Sequence, residues 1–177
     1  MLFKHLNNLS LRSFVHITTD SEKTIILLKG RNAFKYNIGN VDMALRILFI
    51  FPNIGSGYCF HPGIQLLSAL AKQRGHITGL IHLHEKYGVP NDPRIIVQKV
   101  KDFNPDLLAF TSSDFEYKWV NELALLLKKE LPDVFFLLGG KSAILGKDIN
   151  KSAFDAFCVG EAEIPFIELL EKLEEKQ

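Results

Sequence analysis

Residues 52–63 (PNIGSGYCFHPG) bring glycines, a cysteine and a histidine together within twelve positions. Gly55-Ser56-Gly57 has the composition of a loop that binds phosphate through backbone N–H groups. The dinucleotide pattern G-x-G-x-x-G fails because residue 60 is phenylalanine, and no G-K-[S/T] follows as a mononucleotide loop requires. Cys59 and His61 are a thiol and an imidazole, but the sequence positions no base beside the thiol. The segment therefore indicates a ligand-binding loop and argues against a nucleotide site.

Two later apolar segments end in residues that suit the edge of a sheet at which a ligand binds. Thr111-Ser112-Ser113 follows residues 106–110, and Gly139-Gly140 follows residues 134–138. Hydroxyl groups in such positions either cap a helix or contact a ligand. Paired glycines either form a turn or allow the backbone to approach a bulky ligand closely. At adjacent strand ends, the two sets together favour a large, flat ligand entering the edge of a sheet.

The apolar pattern from residue 43 onward predicts the scaffold for these residues. Residues 45–51 (LRILFIF) are almost continuously apolar, as in a strand buried on both faces. Strands then alternate with amphipathic helices, which predicts a parallel sheet with right-handed crossovers. We expect an α/β fold with a five-stranded parallel sheet, flavodoxin-like or Rossmann-like, in the order 2-1-3-4-5. The predicted strands are residues 45–51, 77–83, 106–110, 134–138 and 153–159, with helices over 63–74, 92–103, 117–131 and 161–176.

The first 42 residues differ from the rest in charge. Residues 1–42 hold six basic and three acidic residues, whereas residues 43–177 hold 15 and 17. We expect a β-rich N-terminal extension over 1–42 and an α/β domain over 43–177. The alternative is that Met43 is the natural start and that the preceding residues are poorly structured.

The extension carries a hairpin pattern. Residues 13–19 and 24–29 are β-branched and apolar, and they flank Asp20-Ser21-Glu22, which predicts a turn. A third short strand is predicted over residues 33–38. Three short strands are only marginally stable alone, so we expect a small β appendage that packs on the main domain.

Composition excludes several classes of function. The formal charge of +1 is too small for nucleic-acid or membrane-surface binding, and no apolar run is long enough to cross a bilayer. The first 20 residues lack the apolar centre of a signal peptide. Two isolated cysteines, Cys59 and Cys158, cannot form a disulfide framework, a cysteine-rich zinc site or a self-contained iron–sulfur cluster. We expect a cytoplasmic protein with neither a nucleic-acid nor a membrane partner.

Residues 46–174 resemble the cobalamin-binding domain that precedes the radical S-adenosylmethionine barrel in many radical enzymes. Five segments carry the resemblance, in order: RILFIFPNIG, HPGIQLLSALAKQRGH, PDLLAFTSSD, LPDVFFLLGGKSA and VGEAEIPFIELLEKL. The resemblance implies that the nucleotide tail of cobalamin (vitamin B12) enters the sheet edge beside the third-strand hydroxyls and the fourth-strand glycines. The cofactor-binding residues that it implies are Gly63, Thr111, Ser112, Gly139, Gly140, Gly160 and Glu161.

The chain departs from the family pattern in its first loop. The D-x-H-x-x-G motif, whose histidine binds cobalt in the mutase-type proteins, is absent, and His61 precedes Gly63 by two residues rather than three. Many relatives in radical enzymes also lack the motif. Axial ligation of cobalt by His61 is therefore kept only as a hypothesis.

The chain also lacks the C-x3-C-x2-C cluster loop of the radical S-adenosylmethionine barrel. We therefore expect a cobalamin-binding module without an iron–sulfur cluster, which presents the corrinoid to a separate radical S-adenosylmethionine subunit or is a truncated member of that family. The alternative is a degenerate α/β domain that binds no cofactor and acts in protein–protein interaction. A small transferase using Ser112 or Cys59 is disfavoured because no base is positioned for either, so catalysis by the chain alone is left open.

Overall fold

The structure, a computed structural model, describes residues 16–18, 25–28, 44–54, 59–84, 86, 88–144 and 153–175. The strands in this part of the chain are β1 (His16–Thr18), β2 (Ile25–Leu28), β3 (Arg46–Pro52), β4 (Ile77–Leu83), β5 (Leu107–Thr111), β6 (Phe135–Gly139) and β7 (Ala156–Val159). The helices are α1 (Pro62–Gln73), α2 (Pro93–Phe103), α3 (Tyr117–Glu130), α4 (Lys141–Ile144) and α5 (Glu163–Glu174).

One sheet contains all of these strands, in the order β1-β2-β7-β6-β5-β3-β4. Strands β7, β6, β5, β3 and β4 are parallel to their neighbours within this group. Counted from β3 as the first strand, their order is 2-1-3-4-5, which confirms the predicted flavodoxin-like sheet. The bounds differ from the predicted ones by a residue or two, except that β7 begins three residues later than predicted.

The apolar run of β3 divides its side chains between two cores. Ile47 and Phe49 pack with α1 and α5 on one face of the sheet, whereas Leu48 and Ile50 pack with α2 and α3 on the other. All four are at most 2 % exposed. A central strand of a doubly covered sheet needs apolar residues at every position, because successive side chains point to opposite faces.

Local signals set the ends of the helices. Asp92 caps α2 by accepting the Arg94 N–H at 2.9 Å, as the predicted Asp-Pro start requires. Gly75 ends α1 with φ of +86°. Helix α4 is a single turn that the sequence did not predict. Among the described residues, no helix combines the length and the apolarity that crossing a membrane requires.

The two N-terminal strands lengthen the sheet. Strand β1 pairs antiparallel with β2, as the predicted hairpin requires, and β2 pairs antiparallel with β7. Asp20-Ser21-Glu22 and the predicted third strand at residues 33–38 lie outside the described residues. The division of the chain at residue 42 stays a prediction.

Candidate functional site

A cavity of about 240 Å³ lies beyond the carboxyl ends of the parallel strands, on the face that α1 and α5 cover. Residues from four strands form its floor: Phe49, Ala109, Leu137 and Cys158. The first turns of α1 and α5 form its walls. Ligands of open α/β sheets bind at this edge, because the loops there are free to shape a site on a rigid scaffold. The cavity is smaller than the roughly 300–1,000 Å³ that encloses a whole small-molecule ligand, so it suits one end of a larger molecule.

The cavity brings together most of the predicted site residues, which are spread over about a hundred positions of the chain. Thr111 ends β5, Gly139 ends β6, and Gly160 follows β7 with φ of +95°. The predicted residues that line the cavity are His61, Gly63, Thr111, Gly139, Gly140, Gly160 and Glu161.

Ser112 is the predicted cofactor-binding residue that does not line this cavity. Its side chain is buried, and its hydroxyl donates to the Ser113 carbonyl at 2.8 Å. Its own carbonyl accepts from the backbone N–H and the hydroxyl of Ser142, at 3.2 and 3.1 Å. Ser112 thereby ties the loop after β5 to α4, which follows β6. A direct contact of Ser112 with a cofactor stays a prediction.

His61 is held at both ring nitrogens. As the N-cap residue of α1, it accepts the Ile64 N–H at Nδ1 over 3.2 Å, and its Nε2 lies 3.2 Å from Thr111 Oγ1. The ring also packs edge-on against Phe51, with centroids 5.1 Å apart. Burial lowers the pKa of His61, against a smaller opposing effect of its own backbone hydrogen bond, which favours the neutral imidazole. Cobalt ligation through Nε2 would require the Thr111 contact to break, and it stays a hypothesis.

The two glycines after β6 have different surroundings. A Cβ atom on Gly140 would lie 2.7 Å from the Ser112 carbonyl oxygen and 2.8 Å from Thr111 Oγ1, and φ at Gly140 is +87°. A Cβ atom on Gly139 would meet only the Phe110 carbonyl oxygen, at 3.8 Å. The loop backbone therefore requires glycine at 140. At 139 the surrounding protein leaves room for a Cβ atom.

The apolar floor was not among the predicted parts of the site. Phe49, Leu137 and Cys158 lie inside strands, whereas the predicted site residues lie at strand ends or in the loops beyond them. The signal that could have found them is the alternation of side chains along a strand. Leu137 stands two residues before Gly139, so both point to the same face of the sheet.

No cluster of three or more His, Cys, Asp and Glu side chains that could hold a metal ion occurs in the described parts of the chain. The acidic side chains at the cavity come from the start of α5. Glu161 is exposed, and Glu163 is partly buried in the first turn of that helix, where a carboxylate is favoured by the positive end of the helix dipole.

The two cysteines should differ sharply in reactivity. Burial and the nearby Glu163 carboxylate raise the pKa of Cys158 to about 11, whereas Cys59 is exposed. At pH 8 only about one Cys158 in a thousand is a thiolate, and the thiolate is the reactive form. We expect iodoacetamide to alkylate Cys59 readily and Cys158 at least about tenfold more slowly. Peptide mass spectrometry of timed samples measures both rates, and equal rates would contradict this description of the cavity floor.

The family model described as the B12 binding domain matches residues 54–170. No curated protein matches the chain. Among solved structures, a cobalamin-binding protein from Desulfitobacterium hafniense DCB-2 is similar with a TM-score of 0.57 and 18% identity, over 73% of this chain and 58% of that one. The cobalamin-dependent S-adenosylmethionine radical enzyme OxsB, solved with aqua-cobalamin and S-adenosylmethionine bound, is similar with a TM-score of 0.60 and 11% identity. That match covers 99% of this chain and 30% of the enzyme.

The structural likenesses show a shared fold, and the chain spans less than two thirds of either protein's length. The family model covers the larger part of the chain, including every residue that lines the cavity except Phe49. The chain therefore belongs to the B12-binding domain family.

Proposed function

We propose that the chain binds cobalamin by holding its nucleotide tail in the cavity between α1 and α5. The observation that carries this proposal is the convergence of Thr111, Gly139 and Gly160 on one cavity whose volume suits part of a ligand. The apolar floor would contact the faces of the tail base, and the backbone of the glycine-containing loops would allow the rest of the tail to approach closely.

The residues present fit such a group. Gly139 leaves open space at the cavity where a Cβ atom would stand without a clash against the protein. Phe49 and Leu137 are buried and apolar, as the surroundings of an aromatic base should be. Thr111 and His61 add hydrogen-bonding groups to this lining. When bound, cobalamin supplies a cobalt centre that can carry an alkyl group or an electron.

We further propose that the corrin ring remains outside the cavity and is presented to a radical S-adenosylmethionine catalytic unit. The similarity in fold to OxsB supports this partner class, although it covers only 30% of that enzyme. Phe60 and Phe115 follow β3 and β5 at the same edge of the sheet, and they are 70% and 100% exposed. Exposed aromatic residues of this kind are common where two proteins meet.

Binding of hydroxocobalamin tests this function directly. The protein is mixed with excess hydroxocobalamin under oxidising and under anaerobic reducing conditions, and gel filtration removes the unbound corrinoid. We expect visible absorbance to elute with the protein, at up to one corrinoid per chain. The absorbance spectrum should also change, because a tail base that enters the cavity no longer binds cobalt. Cobinamide, which keeps the corrin ring but has no nucleotide tail, is the matched control ligand and should be retained far less.

Two results would contradict the proposal. Absence of retained absorbance under both conditions would favour the second candidate, a domain that binds no cofactor and acts in protein–protein interaction. Equal retention of cobinamide would show that the tail is not what the cavity recognises.

A further inference from the structure

The hydrogen bonds of His61 determine which of its ring nitrogens carries the proton. The Ile64 backbone N–H can only donate, so Nδ1, 3.2 Å away, must be the acceptor. The proton of the neutral ring therefore lies on Nε2. Because Nε2 is then a donor, the Thr111 oxygen 3.2 Å from it must accept.

This assignment leaves the Thr111 hydroxyl with a hydrogen to donate. Among the described residues, His61 is the one hydrogen-bond partner of the Thr111 side chain. Thr111 lines the cavity, whose neighbouring floor residues Ala109 and Leu137 have no side-chain acceptor. A hydroxyl whose oxygen is already engaged can donate its hydrogen to an acceptor within the cavity.

The surroundings hold the His61–Thr111 pair in place. A Cβ atom on Gly63 would lie 3.3 Å from His61 Cε1 and 3.4 Å from Nδ1. The absence of a side chain at residue 63 therefore makes room for the His61 ring. Phe51 contacts the ring edge-on, and a Cβ atom on Gly140 would crowd Thr111 Oγ1 at 2.8 Å. Two of the predicted glycines thus adjoin this pair.

We propose that His61 is a positioning residue that fixes Thr111 as a hydrogen-bond donor, and that the site thereby selects corrinoids whose tail base has an unprotonated ring nitrogen. This inference rests on the proposed function, because it assigns the recognised part of the tail. Corrinoids with a phenolic tail offer no ring nitrogen to the Thr111 hydroxyl. In this arrangement His61 acts through Thr111 and does not bind cobalt.

The test compares cobalamin, a corrinoid with a phenolic tail, and cobinamide on the full chain, all reduced anaerobically to cobalt(I), by equilibrium titration followed by absorbance. Cobalt(I) binds no tail base, so neither tail has to leave cobalt before it enters the cavity. We expect the wild-type protein to prefer cobalamin over the phenolic-tailed corrinoid by about tenfold, since one hydrogen bond distinguishes the tails. Thr111→Val should abolish this preference, and Thr111→Ser should retain it.

His61→Asn separates positioning from helix capping. Asparagine is a favourable N-cap and can still accept the Ile64 N–H, but its side chain is too short to reach Thr111 in place of Nε2. We expect this variant to unfold at nearly the same urea concentration as the wild-type protein, and to lower the preference to about threefold or less. His84→Asn changes a histidine outside the cavity lining and is the matched control, which should keep the preference.

Two spectroscopic measurements do not depend on the affinities. ¹⁵N NMR of the ligand-free protein should show His61 protonated at Nε2, and protonation at Nδ1 instead would overturn the inference. The second measurement is electron paramagnetic resonance of the cobalt(II) form of the complex. Splitting by an axial nitrogen that is present in the wild-type protein and lost in His61→Asn would also overturn the inference, because it would show that His61 Nε2 binds cobalt.

The remaining outcomes distinguish the two proposals. Suppose that the wild-type protein binds cobalamin and the phenolic-tailed corrinoid with equal affinity, and that His61→Asn does the same. The positioning role is then wrong, while the proposed function stands. If it binds neither corrinoid, both proposals are wrong.

Discussion

Replacing Gly139 by valine should lower cobalamin affinity at least about 100-fold, which corresponds to about 3 kcal/mol. The Cβ position at Gly139 is free of close protein contacts, the nearest atom being the Phe110 carbonyl oxygen at 3.8 Å. Valine is well suited to a strand, and φ at Gly139 is not in the positive range. Its methyl groups would stand in the cavity that we assign to the tail. The free energy of unfolding should therefore change by less than about 1 kcal/mol, because folding requires no space at this position.

A graded series makes the Gly139 prediction specific. Gly139→Ala should weaken cobalamin binding less than Gly139→Val, because it fills less of the cavity, and cobinamide affinity should respond little to either variant. Leu80→Val is the matched control, since Leu80 is 53% exposed on β4 and lies outside the cavity lining. Titration followed by absorbance measures the affinities, and urea unfolding measures stability. Wild-type affinity in Gly139→Val would show that the tail does not enter this cavity.

Replacing Gly140 by alanine should instead destabilise the fold, by about 2–4 kcal/mol. About 1 kcal/mol of this comes from forcing a residue with a Cβ atom to φ of +87°. The remainder, about 1–3 kcal/mol, comes from the new atom 2.7 Å from the Ser112 carbonyl oxygen, where backbone must move. Urea or thermal unfolding of the purified variant measures the change.

Gly75 provides a control that separates strain from crowding. Its φ of +86° is almost that of Gly140, but nothing lies within 4 Å of its Cβ position. Gly75→Ala should therefore cost only the conformational part, about 1 kcal/mol. Equal losses of stability in the two variants would show that the loops after β5 and β6 separate easily, and that Gly140 is not required by their close approach.

The parallel sheet was predictable because its signals are local. Each strand is a short apolar run, each amphipathic helix repeats its apolar residues with helical spacing, and Gly75 and Asp92-Pro93 mark helix ends. The order 2-1-3-4-5 is the flavodoxin-like order for five such units. Strand β7 was predicted too long, because Ala153 and Phe154 are apolar like the strand that follows. The pairing with β6 begins only at Ala156, after Asp155.

Other features depend on residues that are distant in the chain. The pairing of β2 with β7 joins segments more than a hundred residues apart, and no local pattern selects β7 as the partner of an N-terminal strand. Helix α4 is one turn long, and a single turn has no periodicity to detect. The side chain of Ser112 illustrates the same limit, since a hydroxyl in this loop can donate to a ligand or, as in the structure, to the neighbouring Ser113 carbonyl.

The sequence alone determined the class of the fold, because hydrophobic periodicity is a local property of the chain. It also indicated the edge of the sheet at which the cavity lies and seven of the 17 residues that line it. Only the tertiary structure decided what each residue does there. Gly139 faces open space whereas Gly140 is enclosed, and His61 meets Thr111 across fifty positions of sequence. These differences arise from the distances between packed elements, which depend on how α1, β5 and β6 approach one another and not on the identity of any one residue.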